Sequence, residues 1–206
     1  KSLKYNISRI INQTCTKYYN KVILKSYEIQ RNPSNFLKYN MFLLYGENNG
    51  LKKDIAESIK RALSHNSTRV EFLSFYENEI TGNEENFYNS IYSGSLFGNK
   101  RIITIGNATD KIIKQIKDIT DKSPDNITLI IFADLLEKKS KLRNFFETNK
   151  KTICIPCYLD SEKDLEIIAQ SEFKKNNILI SRDAMNLLIE RSNADRNNLR
   201  NEIEKI

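Results

Sequence analysis

The sequence predicts an α/β fold, with a mostly parallel sheet and flanking helices, followed by a small all-helical domain. Apolar, strand-like segments alternate with helical patterns up to Asp160, as expected for parallel strands joined by helices. Several of these strands are apolar throughout, which is typical of a sheet covered on both faces. After Asp160 only helical spacing remains, and this change predicts a second domain.

The predicted elements divide the chain into three parts. Strands are predicted to begin at Val22, Met41, Arg69, Lys100, Asn126 and Lys151. Helices are predicted to begin at Leu51, Asn83, Ala108 and Lys139, and then to run over 162–174, 182–191 and 195–206. Ser161 and Ser181 are the expected N-caps of two of these helices. We therefore predict an N-terminal extension over 1–21 (a loosely attached helix or a disordered arm), an α/β domain over 22–160 and a helical domain over 161–206.

Composition and charge exclude several classes of protein. No apolar run approaches the length that spans a bilayer, and three cysteines in 206 residues argue against a disulfide scaffold and favour the cytoplasm. The net charge is +7, but residues 1–35 alone contribute +6 (seven Lys or Arg and one acid). Residues 36–160 contribute +2 and residues 161–206 contribute −1. Because the charge is concentrated at the N-terminus, it is weak support for a DNA-binding surface on the predicted domains.

The stretch FLLYGENNGLKKDI, from Phe42, has the form of a phosphate-binding loop: a strand, a glycine turn and the start of a helix. Such a loop requires G-x-x-x-x-G-K-[ST], in which the lysine reaches the outer phosphates and the hydroxyl holds Mg²⁺. Gly46 and Gly50 are one residue too close, and Leu51 follows the second glycine where lysine is expected. Lys52 comes next, and Asp54 lies near the hydroxyl position, where its charge would repel a triphosphate. We therefore expect a degenerate phosphate loop made by Gly46, Gly50 and Lys52 that does not bind nucleotide.

Other catalytic chemistry is also absent from the sequence pattern. Asp134 follows a buried strand, where an ATPase places a metal-binding acid, but its position favours a loop or helix-cap role. Cys154 and Cys157 form a CxxC spacing inside a predicted strand, where they are more typical of core residues. Only Cys15 and His65 remain as partners for a zinc site, and His65 lies in a polar turn. We expect no catalytic residues, no metal site and no cofactor.

The segment SGSLFGNK places Leu96 and Phe97 between Gly94 and Gly98. The glycines suit a short turn that directs two large apolar side chains outward. Alternatively, both residues begin the following strand and pack in the core, as most large apolar residues do. The residues by themselves leave both interpretations open.

Five segments in this order resemble the delta subunit family of the bacterial DNA polymerase III clamp loader. They are FLLYGENNGLKKDI, SLFGNKRIITI, ADLLEKKSKLRNFFE, IPCYLD and ISRDAMNLLIERSNADRNNLRNEIEKI. The resemblance covers about Val22 to Ile206. It implies an AAA+-like first domain without ATP hydrolysis, a small helical lid domain and a C-terminal collar domain. Since the sequence stops near the third lid helix, we expect this chain to be truncated and to lack the collar.

The resemblance also implies a function. Family members bind the ring-shaped sliding clamp (the beta subunit) and open one of its interfaces, so that it is loaded onto primed DNA during replication. Their other partners are the tau/gamma and delta prime subunits, and no membrane is involved. By resemblance, Leu96 and Phe97 are the wedge that enters a hydrophobic pocket of the clamp. Two alternatives remain at this point: a P-loop ATPase or nucleotide kinase with a deviant loop, and a stand-alone DNA-binding domain.

Overall fold

A computed structural model describes Ile29, residues 33–65, 70–93 and 100–122, Pro124 and residues 126–206. The predicted extension over 1–21 lies outside the described residues. The described part contains five strands: β1 (Met41–Tyr45), β2 (Val70–Tyr76), β3 (Lys100–Gly106), β4 (Ile127–Ala133) and β5 (Thr152–Pro156). Its α-helices are α1 (Asn49–His65), α2 (Glu77–Gly82), α3 (Glu84–Tyr92), α4 (Ile113–Lys122), α5 (Lys141–Thr148), α6 (Glu162–Lys175), α7 (Arg182–Arg191) and α8 (Arg196–Ile203). Short 3₁₀ turns cover Pro33–Phe36 and Asp110–Ile112.

The five strands form one parallel sheet in the order β2-β3-β4-β1-β5. β1, at an inner position, pairs with β4 and β5, and every side chain of β1 is buried. This confirms the parallel sheet expected from the apolar strands, because successive side chains of a strand are all buried only when both faces of the sheet are covered. The carboxyl ends of β1, β4 and β5 therefore meet at one edge of the sheet.

Helices cover the two faces of the sheet unequally. On one face α1 packs against alternate residues of β1, β3, β4 and β5, together with Ile29, Phe36 and Tyr39. On the other face α2, α3, α4 and α5 supply the apolar side chains of a second core. Strand β2 lies at the edge, and its Phe72 and Tyr76 are 54% exposed on the α1 side. The core is therefore thickest around β1 and β4.

Helices α6, α7 and α8 follow the sheet and enclose a third core, made by Leu165, Ala169, Phe173, Met185, Leu188, Leu199 and Ile203. We refer to residues 162–203 as the helical unit. The side chains of Ser161 and Ser181 accept hydrogen bonds from the third residue of α6 and α7, respectively, which confirms both predicted N-caps. Asp195 caps α8 in the same way. No helix in the described part of the chain is long and apolar enough to span a membrane.

Some local predictions are wrong. Ile29 ends the predicted strand from Val22, but the structure places it in a helix, and residues 22–28 lie outside the described residues. The strand was predicted from β-branched and aromatic content, and tertiary context can place a segment of that composition in a helix. Helix α2 was not predicted, because Ile80 is its one fully buried apolar residue, and a single apolar residue shows no helical periodicity. His65 ends α1 rather than lying in the turn that follows.

Candidate functional site

The predicted phosphate loop connects β1 to α1 at the carboxyl edge of the sheet, where open α/β sheets bind ligands. Gly46 has φ of +129°, a conformation that side-chain-bearing residues rarely adopt. A Cβ atom on Gly46 would lie 2.2 Å from the backbone oxygen of Cys157. The first loop glycine is therefore required by the close approach of the chain that follows β5.

Several backbone N–H groups of this loop donate to protein acceptors. Gly46 donates to the oxygen of Asp134 at 3.2 Å, and Asn48 donates to the oxygen of Cys157 at 3.1 Å. The N–H of Leu51 donates to the side-chain Oδ1 of Asn48 at 2.9 Å. In a phosphate-binding loop such N–H groups point at the anion. Here these three are already used within the protein.

Asn48 is a functional candidate that the sequence pattern did not reveal. Its side chain is buried, and its Nδ2 donates to the oxygen of Tyr158 at 3.1 Å and to Oδ2 of Asp160 at 2.8 Å. Asn48 thus ties the loop to the segment that leads from β5 into α6. Because those partners lie more than a hundred residues away in the sequence, no local pattern points to them.

Lys52 is buried, with 3% of its surface exposed. Its Nζ donates to the backbone oxygen of Ala133 at 2.9 Å, and it lies 3.6 Å from Oδ1 of the exposed Asp134. In G-x-x-x-x-G-K the lysine is the sixth residue after the first glycine, and Lys52 is the sixth after Gly46 (52 − 46 = 6). Counting from Gly46 thus places Leu51 at the position of the second glycine and Lys52 at the position of the lysine. Counting from Gly50 instead places the lysine position one residue earlier, at Leu51. The amine interacts with the end of β4.

Arginines from α8 lie directly against the loop. Asp54, in the second turn of α1, accepts hydrogen bonds from Nη1 of Arg196 at 2.9 Å and from both terminal nitrogens of Arg200 at 2.9 Å. Arg196 also donates from Nε to Oδ2 of Asp160 at 2.8 Å, and its Nη2 pairs with Oδ1 of the same carboxylate. A Cβ atom on Gly50 would lie 2.5 Å from Cγ of Arg196. The second glycine therefore makes room for an arginine side chain.

The charges of Asp54 and Asp160 are balanced by those of Arg196 and Arg200. Burial by itself raises the pKa of the Asp54 carboxyl, but hydrogen bonds from Arg200 and Arg196 outweigh burial and hold that pKa below its ordinary value. A carboxyl group whose pKa is lower in the folded than in the unfolded state stabilises the fold. This contribution is complete when the pH is above the pKa of the unfolded state, and it is lost as the pH falls through the pKa of the folded state. The ion pairs of Asp54 therefore stabilise the fold at neutral pH and cease to do so in acid.

The other candidate positions carry no catalytic arrangement. Asp134 lies in an exposed loop, as predicted, and Ser140, not Asp134, caps the next helix. Strand β3 ends in Gly106, and Asn107 follows it with φ of +55°. Among the described residues, no three His, Cys, Asp or Glu side chains come together in a way that would hold a metal ion.

Cys154 and Cys157 are both free and fully buried. Cys154 lies in β5 as predicted, whereas Cys157 lies just beyond the end of the strand, where its N–H donates to the oxygen of Tyr45. Burial raises the pKa of each thiol to about 12. The burial supports a packing role for both side chains.

We expect Cys154 and Cys157 to resist iodoacetamide at pH 7 in the folded protein and to react in urea. The reason is that a thiol with a pKa near 12 is thiolate only to about one part in 10⁵ at that pH, and it is also shielded. Mass spectrometry of a Cys15→Ser variant measures the modification. Rapid labelling of either thiol under native conditions would contradict the packing role.

Leu96 and Phe97 lie outside the described residues, but the structure shows how their segment is bounded. Helix α3 ends at Tyr92 and strand β3 begins at Lys100. Arg101 is buried and donates from Nη1 to the oxygen of Ser90 at 2.7 Å and from Nη2 to the oxygen of Ile91 at 3.0 Å. One side chain therefore holds the end of α3 against the start of β3.

A family model described as DNA polymerase III, delta subunit, matches residues 42–158, which is more than half of the chain. This chain belongs to that delta subunit family. A probable DNA polymerase III subunit delta from Rickettsia prowazekii is 26% identical over 171 residues, covering 82% of this chain and 50% of the relative. This delta-family chain therefore spans about half the length of the curated relative it matches.

Solved structures agree with this delta-family fold. The Bacillus subtilis DNA clamp loader delta protein matches with a TM-score of 0.56 at 13% identity, covering 87% of this chain and 55% of that one. Domain III of the Thermotoga maritima replication initiation protein DnaA matches with a TM-score of 0.51 at 16% identity, covering 87% and 79%. At such low identities these matches bear on the fold alone. The AAA+-like α/β sheet predicted from the sequence, with further helices after it, is confirmed.

Proposed function

We propose that this chain is the non-catalytic, clamp-opening delta subunit of a DNA polymerase III clamp loader. The observation that carries the proposal is the loop between β1 and α1, where three N–H groups, the Lys52 amine and the Asp54 carboxylate have partners within the protein. A delta-family chain whose phosphate-loop donors are bonded to its own protein acceptors acts through protein contacts rather than through nucleotide chemistry. Its partners would be the sliding clamp, the tau/gamma and delta prime subunits and, through the assembled complex, primed DNA in the cytoplasm.

The position of Leu96 and Phe97 supports the clamp-binding part of this proposal. The bonds from Arg101 to the end of α3 fix where the segment between α3 and β3 begins and ends. Leu96 and Phe97 are the two large apolar residues of that segment, and the family resemblance implies a Leu-Phe pair at this place as the clamp contact. We therefore assign the clamp contact to Leu96 and Phe97.

Binding to the cognate sliding clamp tests the proposed function directly. We expect the purified chain to bind immobilised clamp in surface plasmon resonance, and to accelerate release of the clamp from closed circular DNA. A clamp carrying substitutions in its hydrophobic pocket serves as the control surface. Absence of binding to the wild-type clamp by a chain that unfolds cooperatively would contradict the proposal.

The protein contacts of this loop lead to a prediction about Mg-ATP binding. We expect isothermal titration calorimetry to show no saturable binding of Mg-ATP in the micromolar range, and no ATP hydrolysis. The reason is that three loop N–H groups and the Lys52 amine already have protein acceptors, and that Lys53 rather than a hydroxyl residue follows Lys52. Saturable binding that is lost in Lys52→Met would instead support an ATPase or nucleotide kinase.

A further inference from the structure

The ion pairs at the phosphate loop join two parts of the molecule that have separate apolar cores. Asp54 belongs to α1, which packs on the sheet, whereas Arg196 and Arg200 belong to α8 of the helical unit. We propose that the Asp54–Arg196–Asp160 cluster, with Arg200, is an interdomain latch. It holds the helical unit in one orientation on the α/β domain without any nucleotide.

The geometry of α8 supports this role. Leu199 and Ile203 are buried in the core of the helical unit. Arg196 and Arg200 are four residues apart and therefore lie on one face of the helix, where both contact Asp54. A single short helix thus anchors the helical unit with its leucine and isoleucine and contacts α1 with its arginines.

Burial makes the latch selective for one arrangement. Arg196 is 5% exposed and Asp160 is 9% exposed, so both charges have left bulk water. Breaking a buried ion pair is strongly unfavourable, because it leaves an uncompensated charge in a medium of low polarity. A tilt of α8 away from α1 would remove both arginines from Asp54 at once. We therefore expect a single orientation to predominate.

The close fit at Gly50 and the role of Asn48 add a second constraint. The Arg196 side chain occupies the space above Gly50, where a methyl group would overlap it. Asn48 donates to the same Asp160 carboxylate that Arg196 holds, so the loop, the connecting segment and α8 share one network. The loop that binds phosphate in related folds is here in contact, at Gly50, with an arginine of the helical unit. This inference goes beyond the proposed function, because it concerns the isolated chain and needs no clamp.

The latch is tested by measuring the distance between the two parts of the chain. Spin labels are attached to Asn144→Cys on α5 and Asn186→Cys on α7, both exposed, in a Cys15→Ser background. Double electron–electron resonance then reports the distribution of label distances in the absence of nucleotide. We expect a single narrow distance for this parent. We expect Asp54→Ala to broaden it, because that substitution removes both arginine contacts of α1, and the remaining pair of Arg196 with Asp160 holds α8 only to the segment that leads into α6.

Asp121→Ala, at an exposed aspartate of α4, is the matched control and should keep the narrow distance. Circular dichroism confirms that each variant retains its helices. If Asp54→Ala fails to fold, Asp54→Asn decides in its place, since it removes the charge that both arginines contact and keeps the size of the side chain. A narrow distribution that is unchanged in the deciding variant, or a broad one in the parent, would overturn the latch.

Discussion

Replacing both Leu96 and Phe97 by alanine is expected to abolish binding of the sliding clamp and to leave the melting temperature nearly unchanged. Two adjacent apolar side chains that enter a pocket form a binding hot spot, and truncating such a residue costs about 2–4 kcal/mol. That loss corresponds to a roughly thirty- to thousandfold weaker affinity. Surface plasmon resonance against the immobilised clamp measures the change, and thermal unfolding of the same samples measures stability.

The stability measurement separates the two interpretations of this pair. If Leu96 and Phe97 packed in the core, the double substitution would lower the free energy of unfolding by several kcal/mol, about 2–5 for each large side chain. Leu135→Ala is a suitable control, because Leu135 is an exposed leucine in a different loop. It should change neither property. A double variant that melts far below the wild type, or that binds the clamp normally, would defeat the assignment.

Gly46→Ala is expected to destabilise the fold by about 3 kcal/mol or more, since strained backbone by itself costs 1–3 kcal/mol and steric overlap adds to it. Gly46 has φ of +129°, and a Cβ there would lie 2.2 Å from the oxygen of Cys157. An alanine therefore forces the chain beyond β5 to move, and with it the acceptor of the Asn48 N–H. Urea unfolding followed by circular dichroism measures the change.

Gly82→Ala provides the comparison for Gly46. Gly82 ends α2, and no atom lies within 4 Å of the position of its added Cβ. We expect this variant to differ from the wild type by at most about 1 kcal/mol, in the stabilising direction, because alanine restricts the unfolded chain. Equal effects of the two substitutions would show that the backbone of the loop tolerates a side chain and that its geometry is not required.

The fold was largely predictable because its decisive signals are local. Strand β1 is a continuous apolar segment and strands β3 and β4 are largely apolar, and their burial on both faces follows from that composition. Ser161 and Ser181 stand one residue before their helices, where a hydroxyl accepts a backbone N–H. Signals of this kind need no knowledge of distant residues.

The site was only partly predictable, because its central contacts join residues far apart in the sequence. Nothing near Asp54 indicates that Arg196 and Arg200 pair with it, since the three are brought together by the packing of α8 on α1. The loop glycines were found, but their reason was not. Gly46 faces Cys157 and Gly50 faces Arg196, so tertiary packing rather than phosphate geometry requires them. Likewise, the sequence left open whether Lys52 occupies the lysine position of the loop, and this question needed the position of its amine.

The position of β1 within the sheet has a consequence for biosynthesis. Both of its neighbours, β4 and β5, come later in the chain than β2 and β3. A polypeptide leaving the ribosome thus exposes the apolar segment MFLLY while β2 and β3 already have each other as partners. Pairing across such long sequence separations is slow, and unpaired apolar strands are prone to aggregate. The vulnerable interval of translation therefore runs from the appearance of β1 until β4 and then β5 emerge to enclose it.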